Sequence, residues 1–355
     1  MTVPPTVSAT QRSRHAVGRR RGVALASAGV VGALLLTACS GSSSGKTATT
    51  NSAAVKSNTA GAGITIDIVG CSATDPFCGA WKKGADDAAN QTGAKVTYIG
   101  ADVTANGLSK ALQTAQASKP NGIAAGNWFP DTENPILKDL AANGTAVMLA
   151  NAAPIGWETL PWALGFVGQS DEGAGEAAGA ALAKAGGKNV LCVNNTPGAQ
   201  NQIDRCNGVK KSVVAAGGKS SVLNIPYADV SNPAAIQQAI GGALSNDKSI
   251  DAMTILSPQA QQGAALKKKY PNIKIGVFDL STAVLTSIKS GDFEFVINQQ
   301  PYLQGYNSVL ALYTQIKYGT GPVGQIKTGP QVVDKTNVDK LLEVNKKYPG
   351  VLGAA

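Results

Sequence analysis

Residues 189–216 read NVLCVNNTPGAQNQIDRCNGVKKSVVAA. A short β-branched run, NVLCVN, meets an Asn/Thr/Pro/Gly turn, and an amphipathic helical pattern follows over 202–216. SSVLNIP (220–226) then returns to strand composition. Strand, loop, helix and strand in that order form the unit of a parallel α/β sheet. The same stretch carries Arg205, the only arginine after residue 21 in a chain that contains 25 lysines. A position that needs only solubility accepts lysine. A lone guanidinium instead points to a planar, forked donor gripping something specific.

The alternation extends in both directions. Before residue 170, ITIDIVG, KVTYIG, GIAAG and AVMLAN read as strands, with helices over 79–92, 107–118 and 133–143. After it come helix 172–186, the stretch quoted above, helix 233–246, strand DAMTIL, helix 259–269, strand KIGVFD, helix 281–289 and strand FEFVIN. A last helix over 302–318 begins after Gln300-Pro301. One parallel sheet does not accommodate so long a run of strands and helices, and two domains do so comfortably. The expected fold class is α/β, with two similar Rossmann-like lobes, each a parallel sheet flanked by helices.

The first 38 residues are set apart. Arg12, Arg14, Arg19, Arg20 and Arg21 precede the small, apolar run VALASAGVVGALLLTA, the layout of an export signal. Leu36-Thr37-Ala38-Cys39 resembles the lipobox of bacterial lipoproteins. That resemblance implies cleavage before Cys39, its lipidation and a membrane held through acyl chains alone. Residues 40–63 are Ser/Thr/Gly/Ala-rich and read as a disordered tether with a reach of roughly 25–30 Å. The signal carries five of the 31 basic residues and none of the 22 acids, which leaves 26 against 22, a net +4. Nothing in that balance calls for nucleic acid. His15, the only histidine, lies in the signal too. The remaining chain therefore has no histidine for a Ser-His-Asp or Cys-His mechanism or for a His-ligated zinc.

In parallel α/β sheets, ligands meet the loops at the carboxyl ends of the strands. Here those loops are CSATDPFCGAW, NWFPD, NAAPIGW, NNTPGAQNQIDRCNG, SPQAQQG and DLST, rich in amides, acids and aromatics. Such groups suit a neutral polyhydroxylated ligand, whose hydroxyls donate and accept and whose C–H faces stack. The chain resembles the ribose-binding-protein-like (type 1) periplasmic binding proteins, the solute receptors of sugar ABC importers. The resemblance covers residue 64 to about 330. It rests on Asp75-Pro76-Phe77, Arg205-Cys206-Asn207-Gly208, GVFD ending in Asp279, and INQQPYLQGY with Gln299.

The resemblance implies two lobes joined by a three-crossing hinge, with lobe 1 at 64–166 plus 300–328 and lobe 2 at 167–299 plus 329–345. It implies no enzyme and no cofactor or metal. The expected molecule is a monomer that captures a neutral sugar or polyol and passes it to an ABC permease. A nucleoside or signalling molecule as ligand is the alternative, and a carboxylate glycosidase a remote one. The matched contacts are Asp75, Phe77, Arg205, Asp279 and Gln299, with Arg205 held flat by Asp279. Asn151 and Gln259 stand where the family reads hydroxyls with other residues, and Trp81 and Trp128 are further stacking candidates. Each has a structural alternative. Arg205 could pair with Asp204, Asp279 could cap the following helix, Gln299 could serve only the hinge, and Trp81 could be core. Cys71, Cys78, Cys192 and Cys206 allow three disulfide pairings in an exported chain. Cys71–Cys78 and Cys192–Cys206 are favoured, because either other pairing would lock a cleft that must open.

Overall fold

The computed structural model describes residues 60–256, 261–321 and 323–352. The proposed signal, Cys39 and all but the end of the tether lie outside the described residues, as does Gln259. No helix among the described residues is long and apolar enough to cross a membrane.

Strands β1 (Thr65–Cys71), β2 (Lys95–Ala101), β3 (Gly122–Ala125), β4 (Ala146–Asn151) and β5 (Gly165–Gly168) alternate with helices α1 (Pro76–Thr92), α2 (Ala105–Ser118) and α3 (Pro130–Ala142). The scheme restarts with α4 (Asp171–Lys184), β6 (Asn189–Asn194), α5 (Gln200–Ala215), β7 (Lys219–Asn224), α6 (Pro233–Asn246) and β8 (Ala252–Ile255). It continues through α7 (Gln261–Lys269), β9 (Lys274–Phe278), α8 (Thr282–Ser290) and β10 (Phe295–Asn298). Then come α9 (Pro301–Tyr318), β11 (Gly324–Lys327), β12 (Gln331–Asp334) and α10 (Val338–Lys347).

The strands form two six-stranded sheets, ordered β11-β5-β4-β3-β1-β2 and β12-β10-β9-β8-β6-β7. Every pairing is parallel except β10 with β12. Central strands β3, β4, β6, β8, β9 and β10 are buried on both faces or nearly so, as helices cover both sides. Edge strands β2 and β7 are partly exposed and have no fully buried residue. Three connections pass between the sheets, β5 to α4, β10 to α9 and β11 to β12. Strands β5, β11 and β12, four residues each, were not read from the sequence. Helix α10, too, was not anticipated from the sequence.

Both lobes solve one packing problem alike. Helix α4 lies against α5 and α9 against α1, each pair in backbone contact. A Cβ on Gly175 of α4 would stand 2.0 Å from the Arg205 carbonyl oxygen, and one on Gly208 of α5 would stand 2.0 Å from that of Glu172. Gly84 and Gly305 make the matching approach between α1 and α9, at 2.0 and 1.9 Å. The α4–α5 approach carries the amino-terminal residue of α4, Asp171, up to Arg205.

Gly175→Ala therefore forces two backbones apart and is expected to destabilise the fold by about 1–3 kcal/mol. Gly242→Ala in α6, where a Cβ meets nothing within 4 Å, is expected to stabilise by up to about 1 kcal/mol. Denaturant unfolding of both variants checks the contrast.

Candidate functional site

The carboxyl ends of the two sheets face one another across a cavity of about 200 Å³, smaller than the pocket of a drug-sized ligand. Of the residues anticipated from sequence, Asp75, Phe77, Trp128, Asn151, Arg205, Asp279 and Gln299 line it together. Trp81 does not. It is wholly buried in the core, edge-on to Tyr98 and Trp128 with ring centroids 6.3 and 6.2 Å away. Its spacing from Phe77 places it on the inward face of α1, behind the indole that reaches the cavity. Gln259 lies outside the described residues.

Each wall residue is held by a local feature. Asp75 caps α1, accepting from the backbone N–H groups of Phe77 (2.9 Å) and Cys78 (3.3 Å), with Pro76 opening the helix. The Cys71–Cys78 disulfide closes the same loop. Cys192–Cys206 ties β6 to α5, one residue beyond Arg205. Asn151 and Asp279, at equivalent ends of the fourth strand of each lobe, both take left-handed backbone at φ 64° and 69°. Asn and Asp tolerate that region, and such positions gather at functional sites.

Arg205 is 2% exposed and organises the wall. Its Nε donates to Asp171 Oδ1 at 2.8 Å, one Nη donates to Gln299 Oε1 at 2.8 Å, and the other reaches the Leu256 carbonyl oxygen at 3.5 Å. Phe278 lies under the guanidinium, 5.0 Å from ring centroid to Cζ. The expected direct pairing with Asp279 is thus corrected: Asp171 is the ion-pair partner. Asp279 accepts instead from Gln299 Nε2 at 2.5 Å. Because Arg205 only donates, Gln299 must turn its oxygen to the guanidinium and its nitrogen to Asp279. Asp204 accepts from Gln200 at 2.8 Å, and Ser281 caps α8, so neither alternative role arises.

The chain of bonds continues into the first lobe. Asn151 Nδ2 donates to Gln299 Oε1 (3.3 Å) and Gln304 Oε1 (3.2 Å), while Asn151 Oδ1 accepts from the Trp128 indole at 3.0 Å. An aspartate at 151 could accept from the indole but could not donate to the glutamines. Asparagine's double role explains this departure from the family pattern.

Sequence reasoning missed Asp171, whose only signal was an acid in the first turn of a helix after a crossing. It also passed over Asn195, Asn201 and Gln202 as individuals within a loop recognised as facing the cleft. All three line the cavity and are at least nine-tenths buried. Both amide atoms of Asn195, Oδ1 of Asn201 and Oε1 of Gln202 have no hydrogen-bond partner within the chain. Buried polar atoms without partners are costly unless a ligand or solvent meets them.

Burial dominates the electrostatics. It pushes Asp279 up to about 6, against the pull of Arg205 and the Gln299 hydrogen bond, and the charges of Asp75 and Asp171 push the same way. It also raises Asp75 despite two backbone N–H donors, and Asp171 despite Arg205.

Two outcomes follow. Removing one member of the Arg205–Asp171 pair leaves a buried charge uncompensated, so Asp171→Asn and Arg205→Met should each destabilise by about 3–5 kcal/mol. The double variant should recover part of that loss, as a double-mutant cycle in denaturant reads. For Asp279, the folded state holds its proton to higher pH than the unfolded chain, so this group's effect lowers stability as pH rises from about 4 to about 6. Asp279→Asn should flatten that part of the stability–pH curve.

The chain matches the periplasmic binding protein domain family over residues 66–320. It is 25% identical over 298 residues to a xylose/arabinose-binding protein of Sulfolobus acidocaldarius, covering 78% of this chain and 72% of that one. Among solved structures, it is 31% identical to a carbohydrate transporter from Acidothermus cellulolyticus in complex with myo-inositol, covering 81% of this chain and 99% of that one with a TM-score of 0.73. A glucose-galactose binding protein from Geobacillus stearothermophilus, 19% identical, shares the fold with a TM-score of 0.69 over 77% of this chain and 98% of that one. The two α/β lobes agree with the fold shared with these structures, and the chain belongs to the periplasmic binding protein domain family.

Proposed function

We propose that this protein is an extracytoplasmic solute receptor that captures a small sugar or polyol between its lobes and delivers it to an ABC permease. The observation that carries the reading is the polar wall formed by Arg205, Gln299, Asp279 and Asn151 beside the Trp128 and Phe77 rings. It is continuous from one lobe to the other. Carboxylates and amide oxygens accept from hydroxyls, Arg205 and the amide nitrogens donate to ring oxygens, and aromatic faces cover C–H surface. The relatives bound to myo-inositol and named for pentoses support a ligand of this size.

Closure is the working step, with no covalent chemistry. Two bonds already join the lobes beside the cavity: Gln200 N–H donates to the Trp128 carbonyl oxygen at 2.8 Å, and Val103 N–H donates to Tyr227 Oη at 3.1 Å. Anchoring through a lipid on Cys39, with the folded part acting as a monomer on its tether, completes the proposal. It rests on the lipobox-like LTAC and the Ser/Gly-rich segment after it.

A thermal-shift screen of residues 40–355 against pentoses, hexoses, cyclitols, nucleosides and amino acids tests the reading. A ligand that binds only the folded state raises Tm with concentration. A sugar or polyol should do so, and Arg205→Lys should abolish the shift. A shift from nucleosides or amino acids alone would overturn the ligand class. Asp279→Asn should weaken binding about tenfold or more by calorimetry, since it replaces an ionised acceptor. For the same reason, affinity in the unmodified protein should fall as pH drops through about 6.

A further inference from the structure

Among the described residues the cavity has one cation in its wall, and that cation is already matched. Arg205 pairs with Asp171, both essentially buried, at 2.8 Å. Three more carboxylates line the same space: Asp75 from the loop after β1, Asp279 from the loop after β9, and Asp102 at the exposed rim. Among the described residues, none of the three has a lysine or arginine within ion-pair distance. No lysine among the described residues lines the cavity. Asp75 and Asp279 come from opposite lobes, and the charge of Asp75 pushes Asp279 upward while Arg205 pulls it down. Each also keeps one carboxylate oxygen outside the hydrogen bonds that position it, since Asp75 uses only Oδ1 on the helix and Asp279 only Oδ1 on Gln299.

A second observation marks this as a ligand site rather than an acidic surface. The unpartnered amide atoms of Asn195, Asn201 and Gln202 belong to the same cavity wall. They supply donors and acceptors for hydroxyls, and the three carboxylates supply negative charge in excess of the one guanidinium, which is itself paired with Asp171.

We propose that the preferred ligand is a polyol bearing one positive charge, an amino sugar or aminocyclitol, whose ammonium sits between Asp75 and Asp279 while its hydroxyls meet Asn195, Asn201, Gln202 and Arg205. This rests on the polyol-receptor reading and specifies its ligand. An ammonium donates three hydrogen bonds where a hydroxyl donates one, and it neutralises charge that a neutral sugar leaves in place. Closing the lobes removes water from the pair and strengthens the attraction.

The test is calorimetry on the purified full chain at pH 7 with matched pairs: D-glucose with D-glucosamine, D-galactose with D-galactosamine, and myo-inositol with an inosamine. The expected result is that, in at least one pair, the amine binds about tenfold more tightly or better. That advantage should be lost in Asp75→Asn and Asp279→Asn variants that still melt cooperatively. Amines that bind no better than their parents would overturn the proposal and leave the sugar-receptor reading standing. An advantage that persists in both asparagine variants would overturn it too. Failure of every compound, neutral or charged, would remove the polyol reading along with it.

Discussion

A single buried guanidinium sets the terms for the rest of the site. Arg205 must keep a counter-charge and fill its donors, because an unpaired charge at 2% exposure is far too costly. Asp171 answers the first demand and Gln299 part of the second. Meeting them fixes the amide orientation of Gln299, and that decides how Asp279 and Asn151 present themselves. Trp128 then takes its place from Asn151. The glycine-lined contact of α4 with α5 serves the same end, because a wider helix spacing would draw Asp171 away from Arg205.

The two lobes use one scheme with different contents. In both, the strand order turns about the first strand, and the residue ending or following the fourth strand takes left-handed backbone. In one lobe that residue is Asn151, which donates and accepts within the protein. In the other it is Asp279, which accepts from the protein with one oxygen and leaves the other toward the cavity. Equivalent backbone positions thus serve cohesion on one side and, on the proposed reading, recognition on the other.

Much of this was legible in the sequence. Alternating β-branched runs and amphipathic stretches gave the parallel sheets, and five of the six loops named at the strand ends contribute to one cavity, while SPQAQQG lies mostly outside the described residues. Arg205 stood out because it is the only arginine after residue 21. What stayed hidden depends on distance between segments remote in the chain. Asp171 lies 34 residues from Arg205, and nothing local links an acid at a helix start to a base on the next helix. Trp81 and Trp128 look alike as letters. Only the packing of α1 against the sheet shows that one is core and the other wall.

Gln299 belongs at once to the wall and to the β10–α9 connection, next to Gly329 of another crossing. A side chain of the cavity wall is therefore seated in one of the connections between the two sheets. On the proposed reading, a substitution there alters the wall and the connection together, so affinity and release are inherited as one trait. Asn195 and Gln202 lie off that connection. Lineages that drift toward new ligands while keeping their transport rhythm have freer ground at those two positions than at Gln299.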